Sequence, residues 1–181
     1  MYSRKRVRGD GSLTGGTGDV NPQWMSSSLT QATADTAATG SIQPPVSLST
    51  GENLAMEILK VMMEEVLPVQ GVTSNVAFTL ATKNFGTTQP ALGIGDATVI
   101  ARYARYTSFT TSGEATINPI VMYDYTDGDG HGVLVGNQNL YWTLTSTGTS
   151  QANRVNLKIL YRAKRISDSE LLGIVLQSNQ N

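Results

Sequence analysis

The sequence has no cysteine, which excludes disulfides, thiolate metal sites and cysteine nucleophiles. It has one histidine, His131, so a single chain cannot build a metal site on paired imidazoles. Charge is scarce too. Asp, Glu, Lys and Arg make up 15% of the 181 residues, against about 25% in an average soluble domain. Thr, Ser, Asn and Gln take their place and give a neutral, hydrogen-bonding surface suited to burial against copies of itself. Nowhere do eighteen apolar residues run together, so no helix is expected to span a membrane. The basic first residues lead into Gly9-Asp10-Gly11-Ser12 rather than an apolar stretch, so a secretory signal is not expected either. The length suits one domain of typical size plus a tail.

The net charge of −1 says little, but its distribution says more. Arg4, Lys5, Arg6 and Arg8 put four cations in the first eight residues, and between Gly9 and Thr50 there is no Lys or Arg, only Asp10, Asp19 and Asp35. A short basic head on a polar arm is a device for meeting nucleic acid by displacing condensed counterions, without sequence preference; four such charges also suit a nuclear address. Residues 9–50 are rich in Gly, Ser, Thr and Ala, with Pro22, Pro44 and Pro45. No apolar period of 2 or 3.6 runs through them, so they cannot build a core of their own. We read residues 1–50 as a basic head and an extended arm, anchored on a neighbouring surface by Trp24, Met25, Leu29, Ile42 and Val46. Residues 51–181 form the folded domain.

Near the C-terminus, Val155, Leu157, Ile159, Tyr161 and Ala163 alternate with Arg154, Asn156, Lys158, Leu160, Arg162 and Lys164. Period two predicts a strand with one apolar face and one face carrying Arg154, Lys158, Arg162 and Lys164. That basic face either meets something anionic or is an ordinary solvated face. After Ser167-Asp168-Ser169, the run Leu171 to Leu176 reads as a strand buried on both faces, or as a very apolar terminal strand. Residues 52–67 are ambiguous. Asn53, Glu57, Lys60 and Glu64 have helical spacing and Ser49-x-x-Glu52 resembles a capping box, yet the same residues also alternate as a strand. Asn75 to Thr82 is predicted as strand. Asp96 either caps a short helix through Ala101, or Val99 to Tyr106 is a strand. Phe109 to Thr111, Ala115 to Tyr125, Val133 to Val135 and Leu140 to Thr145 also read as strands. Seven or eight short strands with glycine turns predict an all-β sandwich.

No catalytic or metal constellation emerges, and no cofactor is expected. Asp127-x-Asp129-Gly130 echoes the start of a calcium loop, but the twelfth position, which needs a bidentate Glu, is Gln138. A Ser or Thr with His131 and an Asp lacks a nucleophile elbow, so the Asp127–His131 stretch reads as a structural turn. Gly15-Gly16-Thr17-Gly18 lacks the Lys-Ser/Thr ending of a phosphate loop. Arg102, Tyr103, Arg105 and Tyr106 mix cations and aromatics as a nucleic-acid platform does, though the rim of a sandwich has the same composition.

Five blocks occur in a recognisable order: LTGGTGDVNPQW, AMEILKV, TTSG, DYTDGDGHGVLVGNQNL and ILYRAKRISDSELLGIVLQSNQ. Together they resemble the capsid proteins of small circular single-stranded DNA (CRESS-DNA) viruses, over nearly the full length. GNQN stands where ATDN is usual in that group, and ELLGIVLQS where EYIGIVQS is usual. The resemblance implies a single jelly-roll β-sandwich of two facing antiparallel sheets, with an extended N-terminal arm, that assembles with copies of itself into an icosahedral shell. It implies a structural protein and not an enzyme, found in the virion, with the host nucleus as an assembly site and a host receptor of unknown identity. It makes AMEILKV the first long strand, so we expect strand from Leu54 to Met63. It also directs the basic N-terminus at a packaged single-stranded DNA genome bound without sequence preference, although this head is shorter than the Arg-rich arms common in the group. Two readings of other classes stand beside it: a cellular single-stranded nucleic-acid-binding β-domain, and an enzyme centred on the Asp127–His131 turn.

Overall fold

The computed structural model describes residues 21–43, 54–66, 73–84, 86, 95–107, 120–137 and 139–178. Nine strands and one helix are described: β1 (Gln23–Thr30), β2 (Ala38–Ile42), β3 (Leu54–Val66), β4 (Ser74–Ala81), β5 (Val99–Thr107), β6 (Val121–Asp124), β7 (Val133–Val135), β8 (Leu140–Thr147), β9 (Arg154–Arg165) and α1 (Asp168–Ser178). One sheet runs β1-β9-β3-β6, with β7 also on β3, and the other runs β2-β8-β4-β5. Every pairing among the described strands is antiparallel. The two sheets face one another as a jelly-roll sandwich. Its core holds Met56, Ile58, Val61 and Met63 of β3, Val155, Leu157 and Ile159 of β9, and Phe78, Leu80, Trp142 and Leu144 from the opposite sheet. Phe78 and Trp142 pack edge to face, with ring centroids 5.4 Å apart.

β9 follows the alternation in its sequence: Val155, Leu157, Ile159, Tyr161 and Ala163 are buried while Arg154 and Lys158 are exposed. β3 is a strand despite its helical spacing. It is enclosed between β9 on one side and β6 and β7 on the other, so backbone pairing and inward packing override the weak local preference for helix. The sheets also draw on residues read as an extended arm. β1 pairs with β9 from Gln23↔Tyr161 to Thr30↔Arg154, and β2 pairs with β8, so this segment supplies one strand to each sheet. Val99 to Thr107 is strand, and Asp96 caps only the turn before it, accepting from the Thr98 amide at 2.8 Å.

The terminal run is a correction to the sequence reading. Asp168–Ser178 is a helix, not a strand. Ser167 and Glu170 form a capping box: the Ser167 amide donates to Glu170 Oε2 at 2.7 Å, and the Glu170 amide donates to Ser167 Oγ at 3.3 Å. A six-residue apolar run has no period that separates a buried strand from a helix. The capping pair settles it: Ser167, read in the sequence only as part of a polar break, is the cap, and Glu170 three residues on completes it. Phe109 to Thr111 and the start of the Ala115–Tyr125 segment lie outside the described residues.

Candidate nucleic-acid interface

Of the two groups of cations expected to meet nucleic acid, Arg4, Lys5, Arg6 and Arg8 lie outside the described residues. The other four sit on the outer face of β9, as predicted, but they are not equivalent. Arg162 faces Glu57 across the β3–β9 ladder, and its Nε donates to Glu57 Oε2. Lys164 Nζ lies 3.4 Å from Glu57 Oε1. The Glu57 side chain is 1% exposed, so two of the four cations compensate a buried carboxylate. Arg154 and Lys158 are exposed, and among the described residues neither has an ion-pair partner. The row of four reduces to two open charges near the β1 edge.

Glu57 also holds the glycine-rich turn. Its Oε1 accepts from the Gly132 amide at 3.1 Å, while Arg162 Nη2 donates to the Gly130 carbonyl at 3.2 Å. Burial pushes the Glu57 carboxyl up, but the hydrogen bonds from Arg162 and Gly132 and the charges of Arg162 and Lys164 outweigh it and hold it below its ordinary value. Gly132 runs so close to β3 that a Cβ there would overlap the Ile58 carbonyl. Gly130 takes φ +81°, a left-handed conformation open to glycine. Residues from three of the sequence blocks, AMEILKV, DGDGHG and LYRAK, therefore meet at one carboxylate.

The turn closes on Asp127. Its Oδ1 accepts from the amides of Asp129 at 2.9 Å and His131 at 2.7 Å, and its Oδ2 lies 3.1 Å from His131 Nδ1. These bonds, led by the His131 amide, hold the Asp127 carboxyl below its usual range. Asp127, Asp129 and His131 each offer a ligand atom within 4.8 Å of the others, all exposed, but Asp127 is already committed to the turn.

Arg102, Tyr103, Arg105 and Tyr106 are not a platform, because alternation along β5 splits them. Tyr103 and Arg105 point into the sandwich; Arg102 and Tyr106 point out. Arg105 makes a bidentate pair with Glu65 of the facing sheet, Nε to Oε2 at 2.7 Å and Nη2 to Oε1 at 2.8 Å. Tyr103 donates to the same carboxylate at 3.2 Å, and burial first, then Glu65, push its phenol up to about 12. Sequence reasoning missed both Glu57 and Glu65. The available signal was an acidic residue inside a long apolar strand, which requires a cation elsewhere in the fold.

No protein-family model matches the sequence, and a search of curated proteins finds no match. Similarity appears among solved structures. Merkel cell polyomavirus VP1 in complex with 3'-sialyllactosamine has a TM-score of 0.55 at 8% identity, over 83% of this chain and 97% of that one. The unassembled KI polyomavirus VP1 pentamer has 0.51 at 9%, over 81% and 95%. Apo New Jersey polyomavirus VP1 has 0.50 at 8%, over 81% and 100%. At such identities the likeness is one of fold, the jelly-roll sandwich.

Proposed function

We propose that this chain is a viral capsid protein that assembles with copies of itself into an icosahedral shell around a circular single-stranded DNA genome. The observation that carries the reading is the jelly-roll sandwich, shared over most of the chain with polyomavirus VP1 proteins, one of them solved as a pentamer. The scarcity of charge and the apolar side chains left on the outside of the domain suit repeated contact between copies. Enclosure of single-stranded DNA rests on the sequence resemblance and on the basic head. Arg4, Lys5, Arg6 and Arg8 are the principal phosphate-binding residues, with Arg154 and Lys158 as the second group; Arg162 and Lys164 contribute less because both are tied to Glu57, whose single charge offsets one of the two. A structural role, without catalysis, accords with a histidine tied to Asp127 in a turn. The tying of Tyr103 and Arg105 to Glu65 disfavours a cellular single-strand binder built on stacked aromatics.

Electron microscopy of purified protein tests assembly: closed regular particles are expected, and a sedimentation run showing only monomer at high concentration and moderate salt would refute it. Deletion of residues 1–8 tests the DNA role. Each phosphate neutralised on a single strand contributes roughly −0.7 to the slope of log affinity against log salt. The truncated chain should still assemble, with a flatter slope and less packaged DNA. An unchanged slope and cargo would remove the head from the interface.

A further inference from the structure

Among the described residues, β1 is an outer strand of its sheet and pairs with β9 alone. The phase of that ladder shows which backbone groups remain open. The pairs run without a bulge from Gln23↔Tyr161 to Thr30↔Arg154, and one step on, the Gln31 amide donates to the Asn153 carbonyl at 2.9 Å. Along an antiparallel strand, alternate residues turn both N–H and C=O to the same side. Met25, Ser27, Leu29 and Gln31 therefore bond towards β9, while the N–H and C=O groups of Trp24, Ser26, Ser28 and Thr30 point off the sheet.

An open edge is a template for another strand, and proteins blunt edges with charge, proline, bulges or short length. β1 has none of these devices: it is eight residues long, QWMSSSLT, with no charged residue and no proline. The other outer strands are blunted. β5 presents Arg102, and the phenols of Tyr123 and Tyr125 donate to its Arg102 and Ile100 carbonyls. β2, β6 and β7 have five, four and three residues. β1 also fits itself. Opposed residues of an antiparallel pair share a face, so a two-fold axis must pass through one residue of the strand. With the axis at Ser27, Ser26 bonds to Ser28 and Trp24 to Thr30 of a second copy, and every open residue is paired. On the inner face Met25 meets Leu29 of the second copy, once on each side of the axis; both are half-buried at the margin of the core. An axis at Ser26 sets Thr30 against Pro22, which has no N–H to donate, and an axis at Ser28 sets Trp24 against Ala32, beyond the strand.

We infer that β1 is a two-fold interface between copies of this chain: Gln23–Thr30 of each copy pair antiparallel about Ser27 and join two β1-β9-β3-β6 sheets into one. The contact is isologous, and it is strand addition in which the added strand is the same edge of the second copy. The inference rests on the self-assembly reading and names one of its contacts. Arg154 and Lys158 lie one strand in from the edge, on β9, and stay open on the outer face of both copies.

The absence of native cysteine makes the axis testable. Opposed residues of a non-hydrogen-bonded pair have Cα atoms about 4.5 Å apart, within disulfide range, so Ser27→Cys should give a covalent dimer on mild oxidation under assembly conditions. Ser26→Cys and Ser28→Cys should not, because their symmetry mates stand on the diagonal, about 7–8 Å away. A covalent dimer through either of these and not through Ser27→Cys would overturn the register. Ser28→Pro removes only an outward N–H, which an edge strand tolerates; it should keep the unfolding midpoint of the dilute subunit and abolish assembly. Ser27→Pro removes a bond to β9 and should lower that midpoint; an equal loss in Ser28→Pro would contradict the phase of the ladder. In dilute, unassembled protein the amides of Trp24, Ser26, Ser28 and Thr30 should exchange fast and those of Met25, Ser27 and Leu29 slowly. Protection of the first set in the monomer would mean that another part of the same chain covers the edge, and would overturn the inference. If the unsubstituted protein assembles, Ser27→Cys gives no covalent dimer and Ser28→Pro assembles normally, the edge interface is wrong and the shell reading survives. If the unsubstituted protein sediments only as monomer at high concentration, both fail.

Discussion

The pair between Glu65 and Arg105 ties one sheet to the other, and its removal gives a large, calculable effect. The Glu65 side chain is 0% exposed and that of Arg105 is 8% exposed. Replacement of Arg105 by methionine keeps the length of the stem but removes the charge that balances the carboxylate, leaving Tyr103 donating to it at 3.2 Å. Breaking a buried pair by removing one partner costs about 3–5 kcal/mol. For a domain of this size that lowers Tm by about 6–20 °C, at roughly 2–4 °C per kcal/mol. Replacing the whole cluster should behave differently. Glu65→Leu with Arg105→Met and Tyr103→Phe removes the charge, its partner and the phenol together, and substitution of a buried ion pair by apolar groups is often neutral. The triple variant should therefore regain most of the loss. The assay is urea unfolding of unassembled subunits, compared at constant slope. A loss below about 1 kcal/mol in Arg105→Met, in the range of an exposed ion pair, would show that the pair is not desolvated as described. A triple variant no more stable than the single one would refute the stranded-charge explanation.

Three other outcomes are expected. The Glu57 carboxyl is held below its ordinary value, so its contribution is present above about pH 4.5 and is lost as pH falls through its folded value; Glu57→Gln should flatten the acid limb of the urea midpoint measured from about pH 6 to about pH 3. Arg162→Ala should destabilise the subunit, because Glu57 loses its closest cation, whereas Lys158→Ala should change stability by less than about 0.5 kcal/mol; equal unfolding curves for the two would contradict the division of the β9 face. Ser167→Ala should cost about 0.5–2 kcal/mol of helix stability by removing one arm of the capping box, seen as faster hydrogen exchange in the α1 amides with exchange in β3 and β9 unchanged.

Period-two alternation is local information, and it made β9, its buried face and its basic face legible from Arg154 to Arg165. β4, β6, β7, β8 and the sandwich were legible for the same reason, since their turns carry glycine or polar signals, whereas β1 and β2 lay in a polar segment read as an extended arm. Two elements shared the opposite fate. In β3 the local spacing of Asn53, Glu57, Lys60 and Glu64 favoured helix, and only pairing with three other strands made it extended. In α1 an apolar run without decisive period was read as strand, although Ser167 and Glu170 already stood three apart. What the tertiary structure alone decided is which charges are open. Glu57 meets Arg162 and Lys164 across more than a hundred residues of chain, and Glu65 meets Arg105 between sheets. A buried carboxylate must find a cation wherever the fold supplies one, and no sequence period records a partner brought together by the closing of a sandwich.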